Sequence, residues 1–329
     1  MSIKDSAKGE STSGGKKIVV IGGGTGSFMV LSALKDYPVQ LASIVSMADD
    51  GGSTGRLRDQ YGVLPPGDIR RALVALSETS KTLRDLFNYR FSGGDFREHN
   101  FGNIFLSALE KITGNFEDAI GVASKMLNIK GEVIPVTLDN VSLRAQLADG
   151  NVVTGETNID IPKHDPTIPI KKVWLTPEAK INKSARRAIL QADMIVIGPG
   201  DLFTSVIPNL LVAGVTPALK KSKAKKVYVC NLMTKYGETH GFKAQDFVNA
   251  LEKYLGEGVL DYVIFNNKKP SAGTLRHYSG ENSYFVDVSL LKRNSRNPQF
   301  ILADLLDSGR LVRHNPRNKL ARALISLLR

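Results

Sequence analysis

The chemistry-bearing residues are densest in one short stretch, Ala48-Asp49-Asp50-Gly51-Gly52-Ser53-Thr54-Gly55-Arg56. Two adjacent carboxylates, a glycine pair, two hydroxyls and an arginine arrive within nine positions. Carboxylate oxygens suit a hard cation such as Mg²⁺, which also takes phosphate oxygens. Glycines let the backbone approach a ligand and present N–H groups to anions. Together they read as the metal and phosphate end of a nucleotide site, with Asp49 and Asp50 as metal ligands and Gly51, Gly52, Ser53 and Arg56 on the ligand. The competing reading is a polar loop with two helix-capping aspartates.

Other loops carry similar chemistry. Gly22-Gly23-Gly24-Thr25-Gly26-Ser27 follows the apolar run Lys17–Ile21 and precedes Phe28, Leu31 and Leu34 at helical spacing. Strand, glycine loop and helix form a phosphate-binding unit. The dinucleotide pattern G-x-G-x-x-G fails, because its last position is Ser27 or Met29, and no lysine makes a Walker A loop. A dehydrogenase and a P-loop NTPase are therefore unsupported. Gly198-Pro199-Gly200-Asp201-Leu202-Phe203-Thr204-Ser205 repeats the arrangement after Met194–Ile197. Asp68, in Pro65-Pro66-Gly67-Asp68-Ile69-Arg70-Arg71, stands where a helix N-cap belongs and is also a candidate third carboxylate. Arg70 and Arg71 in a first helical turn oppose the helix dipole, which a bound anion would offset. His99, Asn100 and Asn103 bunch at another helix start, with His99 open between a structural and a catalytic role.

The elements that must position these groups follow from periodicity. Lys17–Ile21, Leu41–Val45, Met194–Ile197, Val227–Cys230 and Tyr262–Phe265 are short apolar runs, hence buried strands separated by helical patterns. This predicts a doubly wound, mostly parallel α/β sheet. Ligands in such sheets sit beyond the strand C-termini. Here four ends carry Gly, Asp, Asn or Thr, the last through Asn231 and Thr234. Residues 131–175 change character, with Asp149-Gly150 as a hairpin turn signal. They read as a small β-rich insertion.

The totals narrow the class. The chain has 329 residues, 42% hydrophobic, with a net charge of +12. That charge suits nucleotide phosphates, and the lysine run at 220–226 lacks the interleaved aromatics of a nucleic-acid module. No nucleic-acid partner and no membrane span are expected. Residues 1–16 are polar and read as a disordered leader before a single domain over 17–329. One cysteine, Cys230, ends an apolar run and reads as a core residue. It fits a reducing, cytoplasmic setting.

With these loops in place, the chain resembles the gluconeogenesis factor family (YvcK-like), which is related to 2-phospho-L-lactate transferase (CofD-like). The resemblance is carried by Gly22–Gly26, Ala48–Arg58, Pro65–Arg71, His99–Asn103, Gly198–Ser205 and Asn231–Thr234. It implies a Rossmann-like core and a UDP-sugar ligand such as UDP-N-acetylglucosamine. It also implies a bacterial role in cell shape and cell-wall synthesis during growth on gluconeogenic carbon sources, with a regulatory protein partner and a homo-oligomer left open. By similarity, Asp49 or Asp50 and Asp68 contact Mg²⁺. The loops at Gly22, Gly23, Gly24, Thr25 and Gly26 and at Gly198, Pro199, Gly200, Asp201, Thr204 and Ser205 hold the nucleotide. Arg313 matches a basic position near the family's C-terminus and is read as a candidate sugar-nucleotide contact. The transferases carry His-Gly after their paired aspartates, whereas this chain has Gly-Gly-Ser-Thr-Gly-Arg. That departure counts against deazaflavin phosphotransfer. A Mg²⁺-dependent phosphotransferase at a nucleotide diphosphate is the alternative function.

Overall fold

A computed structural model describes residues 15–289, 291, 298–307, 312, 314–315 and 319–328. In chain order, β1 (Lys17–Gly22), α1 (Gly24–Leu34), β2 (Gln40–Val45), α2 (Gly52–Tyr61), α3 (Pro66–Leu76), α4 (Lys81–Asn88), α5 (Phe101–Thr113), α6 (Phe116–Met126) and β3 (Glu132–Pro135) come first. Next are β4 (Ser142–Leu147), β5 (Val152–Thr154), α7 (Glu156–Asp160) and β6 (Ile170–Thr176). Then follow α8 (Lys183–Gln191), β7 (Met194–Ile197), a π-helical turn at Leu202–Val206 running into α9 (Ile207–Leu210), α10 (Val215–Lys221) and β8 (Lys225–Val229). The remainder is α11 (Ala244–Leu255), β9 (Tyr262–Asn266), α12 (Ala272–Gly280), β10 (Gln299–Ala303) and α13 (Lys319–Ser326).

Seven strands form one sheet in the order β10-β9-β8-β7-β1-β2-β3. Every pairing in it is parallel. Parallel strands covered by helices on both faces need continuous apolar runs. Ile18, Val19, Val20 and Ile21 are at most 2% exposed, and Met194–Ile197 are fully buried. The chain starts at the centre with β1, moves outward through β2 and β3, then returns to the other side of β1 with β7. The ends of β1 and β7 therefore diverge at a topological switch point, where open α/β sheets bind ligands.

The insertion is smaller than the sequence suggests. β3 pairs with β2 from Ala42↔Glu132 to Val45↔Pro135, so residues 132–135 belong to the main sheet. The antiparallel three-stranded sheet is β5-β4-β6, spanning Ser142 to Thr176. Its β4–β5 hairpin turns at Asp149-Gly150, with Gly150 at φ 94°. A second difference concerns α3. Pro66 takes the first helical position, suited to its fixed φ and missing N–H, and Pro65 is the N-cap. Asp68 is then inside the first turn rather than capping it, and Arg70 and Arg71 fall beyond it.

The fold edge also includes part of the segment read as a leader. Lys16 pairs with Asp193 at 3.0 Å, and its carbonyl accepts from the Gln40 N–H. Residues 1–14 and Arg313 lie outside the described residues. Among the described residues, no helix is long and apolar enough to cross a membrane.

Candidate functional site

A cavity of about 630 Å³ opens beyond the C-terminal ends of the central strands. The loops after β1, β2, β7 and β8 all reach it, through Gly23–Gly26, Asp49 and Gly51–Thr54, Pro199–Asp201 with Thr204 and Ser205, and Asn231–Met233. The insertion adds Glu156, Thr157, Asp160 and Ile161 from α7. The two glycine loops are pressed together at its floor. A Cβ on Gly26 would run into the Pro199 carbonyl, so only glycine lets α1 start this close to the β7 loop.

The first group in the cavity is anionic. Asp49 accepts from the Gly51 N–H at 2.9 Å. Gly67 packs on the Asp49 carboxylate, where a Cβ would lie 2.5 Å from Oδ2. Asp68 contacts Arg71 at 3.3 Å, with Arg71 substantially solvated. Burial raises the pKa of Asp49, against the Gly51 amide and Thr54 hydroxyl. Burial and then the Asp49 charge push Asp68 up to about 6. Glu156 rises to about 9, through burial and then Asp49 and Asp160. Three carboxyls thus crowd a space in which Arg71 makes the one ion pair with them among the described residues, and Arg70 acts on Asp68 from farther off. Their oxygen chemistry fits a hard divalent cation carrying phosphate oxygens.

The second group is already compensated. The Lys235 ammonium touches Asp160 of α7, lies 2.8 Å from Asp201 of the β7 loop and 3.3 Å from Glu238. Glu238 also accepts from the Phe203 N–H at 3.1 Å and the Thr204 hydroxyl at 3.0 Å. Burial alone would lower the Lys235 pKa, but the carboxylates of Glu238, Asp201 and Asp160 raise it. The three acids could by position hold a metal ion, yet the lysine fills that role.

The structure brings most sequence-selected residues together. Gly23, Gly24, Thr25, Gly26, Asp49, Gly51, Gly52, Ser53, Asp68, Arg70, Asn103, Pro199, Gly200, Asp201, Thr204, Ser205 and Asn231 all line the cavity. Others sit behind it. Asp50 turns away and accepts from the Glu156 and Thr157 N–H groups at 3.1 and 2.9 Å, fixing the start of α7. Arg56 donates to the Arg97 carbonyl. Gly22 closes β1, and the Gly198 N–H donates to Ile21. Thr234 is tied to Tyr284 by its N–H and hydroxyl. Asn100 caps α5 by accepting from Asn103.

His99 backs the cavity rather than lining it. Its Nδ1 lies 3.2 Å from the Ser53 Oγ. Burial, then Arg56 and Arg90, lowers its pKa. Buried Arg70 donates through Nε to Asn103 Oδ1 at 3.0 Å, and Nη1 reaches Asn88. Burial, then Arg71, lowers its pKa to about 10. It holds α3, α4 and α5 at the cavity wall.

Sequence reasoning missed Glu156, Asp160, Lys235, Glu238 and His314. The first two lie in the insertion, where no local motif marks them. Lys235 and Glu238 follow Asn231–Thr234 closely enough that the β8 end could have been read further. His314 stands beside Arg313 in a segment read only for its arginine.

Fold and cavity together define a doubly wound α/β protein with a ligand crevice at its switch point. The chain belongs to the 2-phospho-L-lactate transferase CofD family, whose model matches residues 18–306. It is 40% identical over 316 residues to the Bacillus subtilis gluconeogenesis factor, covering 95% of this chain and 98% of that protein. A Clostridium acetobutylicum relative is 46% identical over 275 residues, 83% of this chain, and longer: the chain spans 61% of it. The crystal structure of a Bacillus halodurans protein of the UPF0052 family, 40% identical, matches with a TM-score of 0.89 over 94% of this chain and 99% of that one.

Proposed function

We propose that the chain is a gluconeogenesis factor that binds a nucleotide sugar of the UDP-N-acetylglucosamine type and acts as a regulatory protein in the cytoplasm. Growth on gluconeogenic carbon sources and cell-wall synthesis, hence cell shape, are the processes it serves, through a regulatory protein partner. The observation that carries the reading is the convergence of four strand-end loops on one switch-point cavity, with two apposed glycine loops and the buried carboxyls of Asp49 and Asp68 lining it. The names of the relatives support the physiological setting. Asp49 and Asp68 would hold Mg²⁺, which would supply charge neutralisation for the ligand's phosphates. Asp50 is committed to α7 in this reading.

A second reading is a Mg²⁺-dependent phosphotransferase acting at a nucleotide diphosphate. The family match and the carboxyl crowding at Asp49, Asp68 and Glu156 favour it. Thermal unfolding against UDP-sugars, GDP, NAD and FAD, each with and without Mg²⁺, separates the two, since a ligand of the native state raises the midpoint. A shift confined to UDP-sugars supports the first. A Mg²⁺-dependent shift with GDP supports the second, and no shift with any of them contradicts both.

A further inference from the structure

One wall of the cavity is explained neither by phosphate nor by metal chemistry. Beyond the end of β8 it is formed by Leu232, Met233, Val312 and His314. In the sheet order β8 lies two strands from β1 and three from β2. At about 4.8 Å per strand these offsets are roughly 10 and 14 Å. That is the reach of an extended nucleotide whose phosphates lie at the glycine and aspartate loops. The apolar side chains suit the faces of a planar base.

Two polar side chains stand at this wall: Asn231 is committed to the Gly200 carbonyl, to which it donates at 2.7 Å, and the chemistry of His314 is fixed by its neighbours. Only 6% of it is exposed. Its Nε2 lies 3.2 Å from the Cys230 carbonyl oxygen. A carbonyl only accepts, so Nε2 carries the proton and donates. Burial lowers the His314 pKa to about 4, so the ring is neutral at pH 7. A neutral imidazole protonated on Nε2 has a bare lone pair on Nδ1. Among the described residues no group donates to that atom.

We propose that His314 is a specificity-determining residue that reads the edge of the bound base, accepting a hydrogen bond on Nδ1 from the ring N–H of a lactam-type base. The proposal rests on the nucleotide reading above. Uracil and guanine carry an N–H at the middle of their pairing edge. Adenine and cytosine carry a lone pair there, which would face the Nδ1 lone pair. A site that needs a donor rejects the analogue lacking it, because its own polar atom is left unpaired.

The test is calorimetric binding of UDP, GDP, CDP, ADP and N3-methyl-UDP in the presence of Mg²⁺. The native protein is expected to bind UDP or GDP at least about tenfold tighter than CDP, ADP and, where UDP is the preferred ligand, N3-methyl-UDP. His314→Phe should shrink that discrimination to about twofold while retaining diphosphate binding. Equal binding of UDP and N3-methyl-UDP by the native protein where UDP is the preferred ligand, or no preference for UDP or GDP over CDP and ADP, overturns the proposal alone, without recourse to the variant. Retained discrimination in a folded His314→Phe protein also overturns it. Absence of binding by all the diphosphates contradicts the nucleotide reading itself, and the proposal with it.

Discussion

Two acidic clusters share the cavity, and they differ in who supplies the positive charge. Around Asp160, Asp201 and Glu238 the fold supplies it, from Lys235. Around Asp49, Asp68 and Glu156 the ion pair is Arg71, partly solvated and 3.3 Å from Asp68, while Arg70 acts from farther off, with its hydrogen bonds going to Asn103 and Asn88. Burial raises carboxyls in both clusters, Asp68 to about 6, Glu156 to about 9 and Glu238 to about 8. The difference lies in the geometry: only the Lys235 cluster holds an ammonium against all three of its acids. A compensated cluster is a strut: Lys235 ties α7 of the insertion to the β7 and β8 loops. An under-compensated cluster is a place where a cation brought from solution gains the most.

Breaking the frame that holds both clusters should have the largest effect. Gly26→Ala forces a methyl group against the Pro199 carbonyl. It is expected to cost about 3 kcal/mol or more of stability, read by urea unfolding. Lys235→Met leaves three carboxylates without their cation. Asp160 and Asp201 retain some water contact, so the expected loss is about 2 kcal/mol rather than the larger figure for fully buried pairs.

The other cluster should respond with the opposite sign. Asp68→Asn removes a charge the ligand-free protein holds at a cost, so it should raise stability at pH 8 by on the order of 1 kcal/mol. The pH dependence follows. A carboxyl whose folded pKa is raised leaves the native state holding more protons than the unfolded chain. Stability from that source is present below the unfolded value near 4 and is lost as pH rises through about 6 for Asp68 and about 9 for Glu156. The ligand-free protein should therefore lose stability between pH 5 and 9 by more than Asp68→Asn does, a difference that paired thermal melts would reveal. An effect similar in size to that of Asp68→Asn is expected where Asp50 meets the start of α7. Asp50→Ala removes the carboxylate fixing the start of α7 and should cost about 1 kcal/mol.

The same contrast explains what the sequence could disclose. β1, β2, β7 and β8 were legible because buried parallel strands must be continuous apolar runs, and Gly23–Gly26 and Pro199–Ser205 because phosphate-binding turns need local glycines. Asp49 and Asp50 are adjacent and chemically identical, yet one faces the cavity and the other an α7 helix 106 residues away. No local pattern distinguishes them. Asp68 looked like an N-cap because Pro65-Pro66 hid where α3 begins. The strand at Glu132–Pro135 was assigned to the insertion because its partner, β2, is distant in sequence. Glu156, Asp160 and Lys235 meet only through tertiary packing.

The most direct test of the central claim is calorimetric titration of UDP-N-acetylglucosamine, with and without Mg²⁺, into the native protein and Asp68→Asn. The account predicts that Mg²⁺ tightens binding to the native protein by about tenfold or more and has little effect on the variant. Binding to the native protein that is indifferent to Mg²⁺, or a Mg²⁺ effect that survives in Asp68→Asn unchanged, would contradict it.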